Sequence, residues 1–131
     1  MRALILLAGW SQLALAAGSL LIPRTLGWRE DTARLKPLTR QVFWTYAAYI
    51  WVTNIGFGLL SVLGADQLLT AAPLARALCA FAAAWWGARL GVQFFYFDRS
   101  ATPPGAIYRL AEAALVALFI FLTGVYAWLA L

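Results

Sequence analysis

Apolar residues in this chain come in long unbroken blocks, not in the alternation of a half-buried strand or the one-sided stripe of a soluble helix. Reading for uncharged stretches of about 20 residues, the length needed to cross a hydrocarbon core, gives four predicted spans: 3–22, 41–63, 72–97 and 106–130. The first stops at Pro23-Arg24 and the second follows Arg40. The third opens at Thr70-Ala71-Ala72-Pro73, where Thr70 to Ala72 can cap and Pro73 suits a first helical turn. It ends at Phe97-Asp98, and the fourth follows Pro103-Pro104-Gly105. The ten-residue alternation of a membrane β-barrel is not seen. The predicted fold is all-α: a polytopic membrane four-helix bundle with short loops, forming a single transmembrane domain over 1–131.

Composition agrees. The 131 residues are 64% hydrophobic and 11% charged, against about 45–50% and 25% in ordinary soluble domains. A small basic start at Met1-Arg2 and the small-x-small string Ala14-Leu15-Ala16 raise a cleaved signal peptide as a rival reading of span one. The apolar stretch runs past Ala16 to Ile22, longer than the usual core of such a peptide, so a retained span is expected.

The net charge of +5 is concentrated on one side. Arg24, Arg29, Arg34, Lys36 and Arg40 lie between spans one and two, and Arg99 and Arg109 lie at the connection between spans three and four. The other side has Arg2 and Arg76. The positive-inside rule then predicts a bacterial inner (cytoplasmic) membrane protein with both termini outside and both basic connections cytoplasmic. Trp44, Tyr96 and Tyr108 fall at the inner interface on this scheme, Tyr126 and Trp128 at the outer one. The basic residues of the first connection also suit contact with anionic lipid headgroups. They flank spans and are interleaved with Glu30 and Asp31, which argues against nucleic acid as a partner.

Charges at membrane depth carry more information. Arg89 lies eight residues before Phe97, about 12 Å inside the inner boundary, and Glu112 lies about 10 Å inside from the same side. A short connection makes spans three and four antiparallel neighbours, and an isolated charge at that depth costs at least about 2.5–3.5 kcal/mol. An intramembrane ion pair between Arg89 and Glu112 is therefore expected, with Arg109 a local competitor for the carboxylate. Gln12, Tyr46, Tyr49, Thr53, Asn54, Trp85, Trp86 and Gln93 reach a similar layer from spans one to three, and Glu112 from span four. One reading is a structural clasp of interhelical hydrogen bonds. The other is a pocket, with Arg89 receiving an anionic group and aromatic side chains walling an apolar tail.

Ala83, Gly87 and Gly91 recur every four positions on span three, a strip against which another helix can pack closely. Gly56 and Gly58, or Ala14 and Gly18, offer partner surfaces within the chain, and a second subunit is the alternative. Catalytic chemistry is poorly provided for. With no His and a single Cys, the chain has no Ser-His pairing, no His-held metal or haem, and no redox Cys pair. No cofactor or metal is expected.

The chain's size resembles that of small multidrug transporters, but their first-span glutamate is missing here. The strings Arg40-Gln41-Val42-Phe43-Trp44 and Trp86-Gly87-Ala88-Arg89, followed by Gln93 and Tyr96-Phe97-Asp98, resemble those of small uncharacterised bacterial four-span membrane proteins. That resemblance implies no activity. The expectation from the residues is an accessory or interaction subunit, with membrane lipids and a larger membrane protein or a second copy as partners. Two rivals stand beside it: a binder or carrier of an amphiphile (lipid, quinone or isoprenoid) near Arg89, and an oligomeric proton-coupled transporter using Glu112.

Overall fold

A computed structural model describes residues 2–25, 27–70, 72–95 and 106–131. All regular structure among them is helical: α1 (Arg2–Ser19), α2 (Ile22–Thr25), α3 (Trp28–Thr32), α4 (Pro37–Leu63), α5 (Ala65–Leu68), α6 (Pro73–Phe95) and α7 (Ala106–Ala130). The end of predicted span three at Tyr96, Phe97 and Asp98, the basic residue Arg99 and the Pro103-Pro104-Gly105 turn lie outside the described residues, as does the side chain of Tyr108.

Local chemistry sets the boundaries. Pro37 opens α4, where the missing N–H costs nothing, and Gly64 closes it by donating its N–H to the Leu60 carbonyl at 2.8 Å. Pro73 likewise opens α6, as the sequence predicts. Gly27 precedes α3 at φ 69°, a left-handed conformation in which a side chain would be strained. α1 ends four residues before Pro23, and its last turn tightens: Leu20 N–H goes to the Ala17 carbonyl and Leu21 N–H to that of Gly18.

Three helical stretches are long and apolar enough to cross a membrane: Arg2–Arg24, Pro37–Leu63 and Arg109–Ala130. The chain is a membrane protein by that criterion. At 23 residues α6 has the length, but Arg76, Arg89 and Gln93 dilute its hydropathy, and it is not among the three.

The chain forms two compact units, one of residues 1–8 with 65–131 and the other of residues 9–64. In the first, α6 and α7 form an antiparallel hairpin. Arg76 Nε and Nη2 donate to the carbonyls of Ala130 and Leu131 at 3.1 and 2.7 Å, and Trp86 stacks on Phe119 with centroids 5.5 Å apart. Cys79, Ala82 and Trp86 face Phe119, Leu122, Val125 and Tyr126 in its buried core. Tyr126 is thus a core residue, at the i+4 and i+7 positions from Leu122 and Phe119, whereas Trp128 is exposed. Arg2 Nε bonds Asp66 Oδ1 at 2.9 Å, tying the start of α1 to α5, while Arg76 ties the start of α6 to the end of α7.

In the second unit the rest of α1 runs antiparallel to α4. A Cβ on Gly9 would come within 2.9 Å of the Gly58 carbonyl oxygen and 2.7 Å of Val62 Cγ2, and one on Gly58 within 2.9 Å of Leu13. Further along, Trp51 Nε1 donates to the Ala16 carbonyl at 2.8 Å. That carbonyl is one of those left over by the tightened end of α1. α3 is held on the start of α4 by Trp28, Phe43 and Trp44, whose rings meet edge to face at 5.1–6.0 Å.

Candidate functional site

Arg89 has partners of two kinds. Arg89 lies on α6 one turn before Gln93, and its Nη1 donates to Gln93 Oε1 at 3.3 Å. Its guanidinium carbon also lies 5.1 Å from the centre of the Phe119 ring on α7, a cation–π distance. The buried indole of Trp86 covers the same ring. Arg89, Trp86 and Phe119 therefore make a small stack between the two helices, with Gln93 extending it along α6.

Glu112 is half-buried on α7 and shares the face of Phe119, two turns earlier. The pairings of Arg76 with Ala130, Gly87 with Thr123 (3.5 Å from a Cβ at Gly87) and Trp86 with Phe119 set an antiparallel register that brings Glu112 level with Gln93. Arg89 and Glu112 each make a further interaction. Gln93 is a neighbour the sequence reading names, and Phe119 is the one it misses. An aromatic residue in a uniformly apolar helix gives no sign of which face it occupies.

The remaining polar-layer residues are distributed unequally. Gln12 is completely buried and Asn54 half-buried, and both are engaged. Every buried side-chain nitrogen or oxygen among the described residues has a hydrogen-bond partner, the condition for a polar group to sit stably away from water. Trp85 is half-buried. Tyr46 and Tyr49 are 61% and 65% exposed on α4, and Thr53, one turn on, donates its hydroxyl to the Tyr49 carbonyl at 2.8 Å.

The small-residue strips also divide. Gly87 packs on Thr123 within the hairpin, whereas Gly91, Gly56 and Gly18 have open space where a Cβ would stand. Ala83 is half-buried and Ala14 exposed. The close helix approach runs through Gly9 and Gly58, so the strip on α1 begins a full turn earlier than the Ala14–Gly18 pair suggests. The basic residues Arg24, Arg29, Arg34 and Lys36 are exposed and Arg40 is half-buried.

Two concavities lie among the described residues. One, of about 450 Å³, is lined by Arg29, Thr32, Ala33, Arg40 and Trp44. The other, of about 500 Å³, is an open apolar groove between Leu4 and the Ile120, Phe121, Gly124, Val125 and Trp128 face of α7. Among the described residues no group of three His, Cys, Asp or Glu side chains comes together to hold a metal. Comparison with protein-family models, with curated proteins and with solved structures finds no match to this chain.

Proposed function

We propose that this chain is a small four-span protein of the bacterial inner membrane, with α6 as the fourth crossing, that serves as an accessory subunit. Its docking face is the exposed side of α4, and the occupant is a transmembrane helix of a larger subunit in the same membrane. The observation that carries this reading is the stripe Tyr46, Tyr49, Thr53, Gly56 and Leu60, spaced by three and four residues on one helix face. Tyr49 lies five residues beyond Trp44, about 7.5 Å deeper along the helix. Its exposed phenol would face acyl chains that offer no hydrogen-bond partner, and a second helix would supply one. Gly56 leaves room for that helix to approach.

The Arg89 stack supports the clasp reading of the polar layer more than the pocket reading. A guanidinium already held by Gln93 and Phe119 joins α6 to α7. We extend the clasp to Glu112: Gln93, accepting from Arg89 through Oε1, retains an amide NH2 that can donate to the carboxylate one register step away.

The test replaces Tyr49 with a photo-activatable phenylalanine analogue in the full chain in its native membrane. A cross-link to one discrete integral membrane polypeptide, lost when Gly56→Leu is added, is the expected result. Cross-links to lipid alone, together with a monodisperse monomer in mild detergent, overturn the subunit reading.

A further inference from the structure

The cavity beside α3 is built from two short helical faces. Arg29, Thr32 and Ala33 stand at i, i+3 and i+4 on one side of α3, and Arg40 and Trp44 at i and i+4 on the first turns of α4. Glu30 and Asp31 occupy the i+1 and i+2 positions and are exposed away from this face. The walls are fixed. Thr32, 5% exposed, donates to the Trp28 carbonyl at 2.7 Å and accepts from Trp44 Nε1 at 3.2 Å. The Trp28, Phe43 and Trp44 cluster then locks α3 to α4.

Three electrostatic facts point the same way. No carboxylate among the described residues pairs with Arg29 or Arg40. α4 has no acidic residue in its first turn, although that end of a 27-residue helix carries the positive end of its dipole. Arg40 and Lys36 add positive charge where an anion is the favoured neighbour. Two arginines lining one concavity that also has an indole wall suit a phosphate group, which arginine can bind through two parallel N–H donors.

We infer that this cavity is a binding site for a phosphate-bearing anion, held between Arg29 and Arg40 with Trp44 as its wall. The site is independent of the subunit reading above, since neither α6 nor the exposed face of α4 takes part. A phospholipid headgroup and a free phosphate share the chemistry, and the experiment separates them.

The full chain is purified in dodecyl maltoside micelles containing equal parts phosphatidylglycerol and phosphatidylcholine, and retained lipid is read by native mass spectrometry. A parallel sample in phosphatidylcholine nanodiscs is titrated with inorganic phosphate. A lipid site retains phosphatidylglycerol selectively on the wild type, and a soluble-phosphate site instead gives saturable phosphate binding. In either case Arg29→Gln/Arg40→Gln lowers binding about tenfold or more, as loss of charge-assisted hydrogen bonds implies. Arg24→Gln/Arg34→Gln, which removes the same charge from outside the cavity, leaves it within about twofold, the scale of a screened surface effect. Equal losses in the two double variants, or no selective binding of either probe by the wild type, overturn the site. Should the glutamine pair lose its helical circular dichroism, Arg29→Lys/Arg40→Lys decides. A clear loss with charge retained supports the forked site, and binding like wild type reduces it to general surface charge.

Discussion

Gly9 and Gly58 are the positions where a single methyl group has the most to disturb. A Cβ at Gly9 meets both a side-chain methyl of Val62 and the backbone oxygen of Gly58. The methyl can rotate away, but the carbonyl belongs to a helix and cannot, so α1 and α4 must separate locally. Gly9→Ala is expected to destabilise by about 1–3 kcal/mol through overpacking, despite a helix-propensity gain of up to about 1 kcal/mol. Gly56→Ala has only the gain, because nothing lies within reach of its Cβ. Unfolding in detergent followed by circular dichroism should therefore move in opposite directions for two glycines on paired helices. Trp51→Phe tests a different residue-scale feature. It keeps most of the ring but removes the N–H that satisfies the Ala16 carbonyl. A loss of about 1–3 kcal/mol in the same assay is the penalty of an orphaned acceptor.

At the scale of elements, the α6–α7 hairpin is held by a core and a charge that share one aromatic ring. Trp86 is 1% exposed and Phe119 3%, so Trp86→Ala should cost about 3–5 kcal/mol of stability. The Arg89 contribution is smaller and separable. A double-mutant cycle with Arg89→Met and Phe119→Leu should give a coupling energy of about 0.5–2 kcal/mol, and a value indistinguishable from zero would remove Phe119 as the arginine's partner. Much of this element was legible in the sequence. The short connection predicted antiparallel neighbours, Pro73 predicted the start of α6, and Arg89 was marked by its isolation in an apolar run. Its aromatic neighbour was not legible, because α7 is apolar all round and no periodicity distinguishes the face of Phe119, Leu122 and Tyr126 from that of Trp128. The cavity beside α3 was half legible: five basic residues marked the connection, but only folding of α3 onto α4 sorts Arg29 and Arg40 from Arg24, Arg34 and Lys36.

For the whole molecule the deciding question is whether α6 crosses the membrane. Alone it falls short in hydropathy, because Arg76 and Arg89 each weigh against insertion. Packed on α7, both charges have partners: Arg76 binds the last carbonyls of α7 at one end, and Arg89 is taken up by Gln93 and Phe119. A helix too polar to span by itself can thus cross as half of a hairpin, with α7 supplying the apolar surface. This makes a topological prediction that single cysteines can read, because the native Cys79 is 1% exposed and gives little background. Four crossings with the basic connections inside predict that Gln67→Cys and Leu131→Cys react with a membrane-impermeant maleimide in intact spheroplasts. Leu35→Cys and Ala106→Cys should react only after permeabilisation. If α6 instead stays on the side where α4 emerges, Ala106 reacts together with Gln67, and Leu131 passes to the opposite side. Reversal of the whole pattern would keep four crossings and overturn the orientation. The decisive reading is Ala106, since its side changes with α6 while those of Leu35 and Gln67 are set by α4 alone.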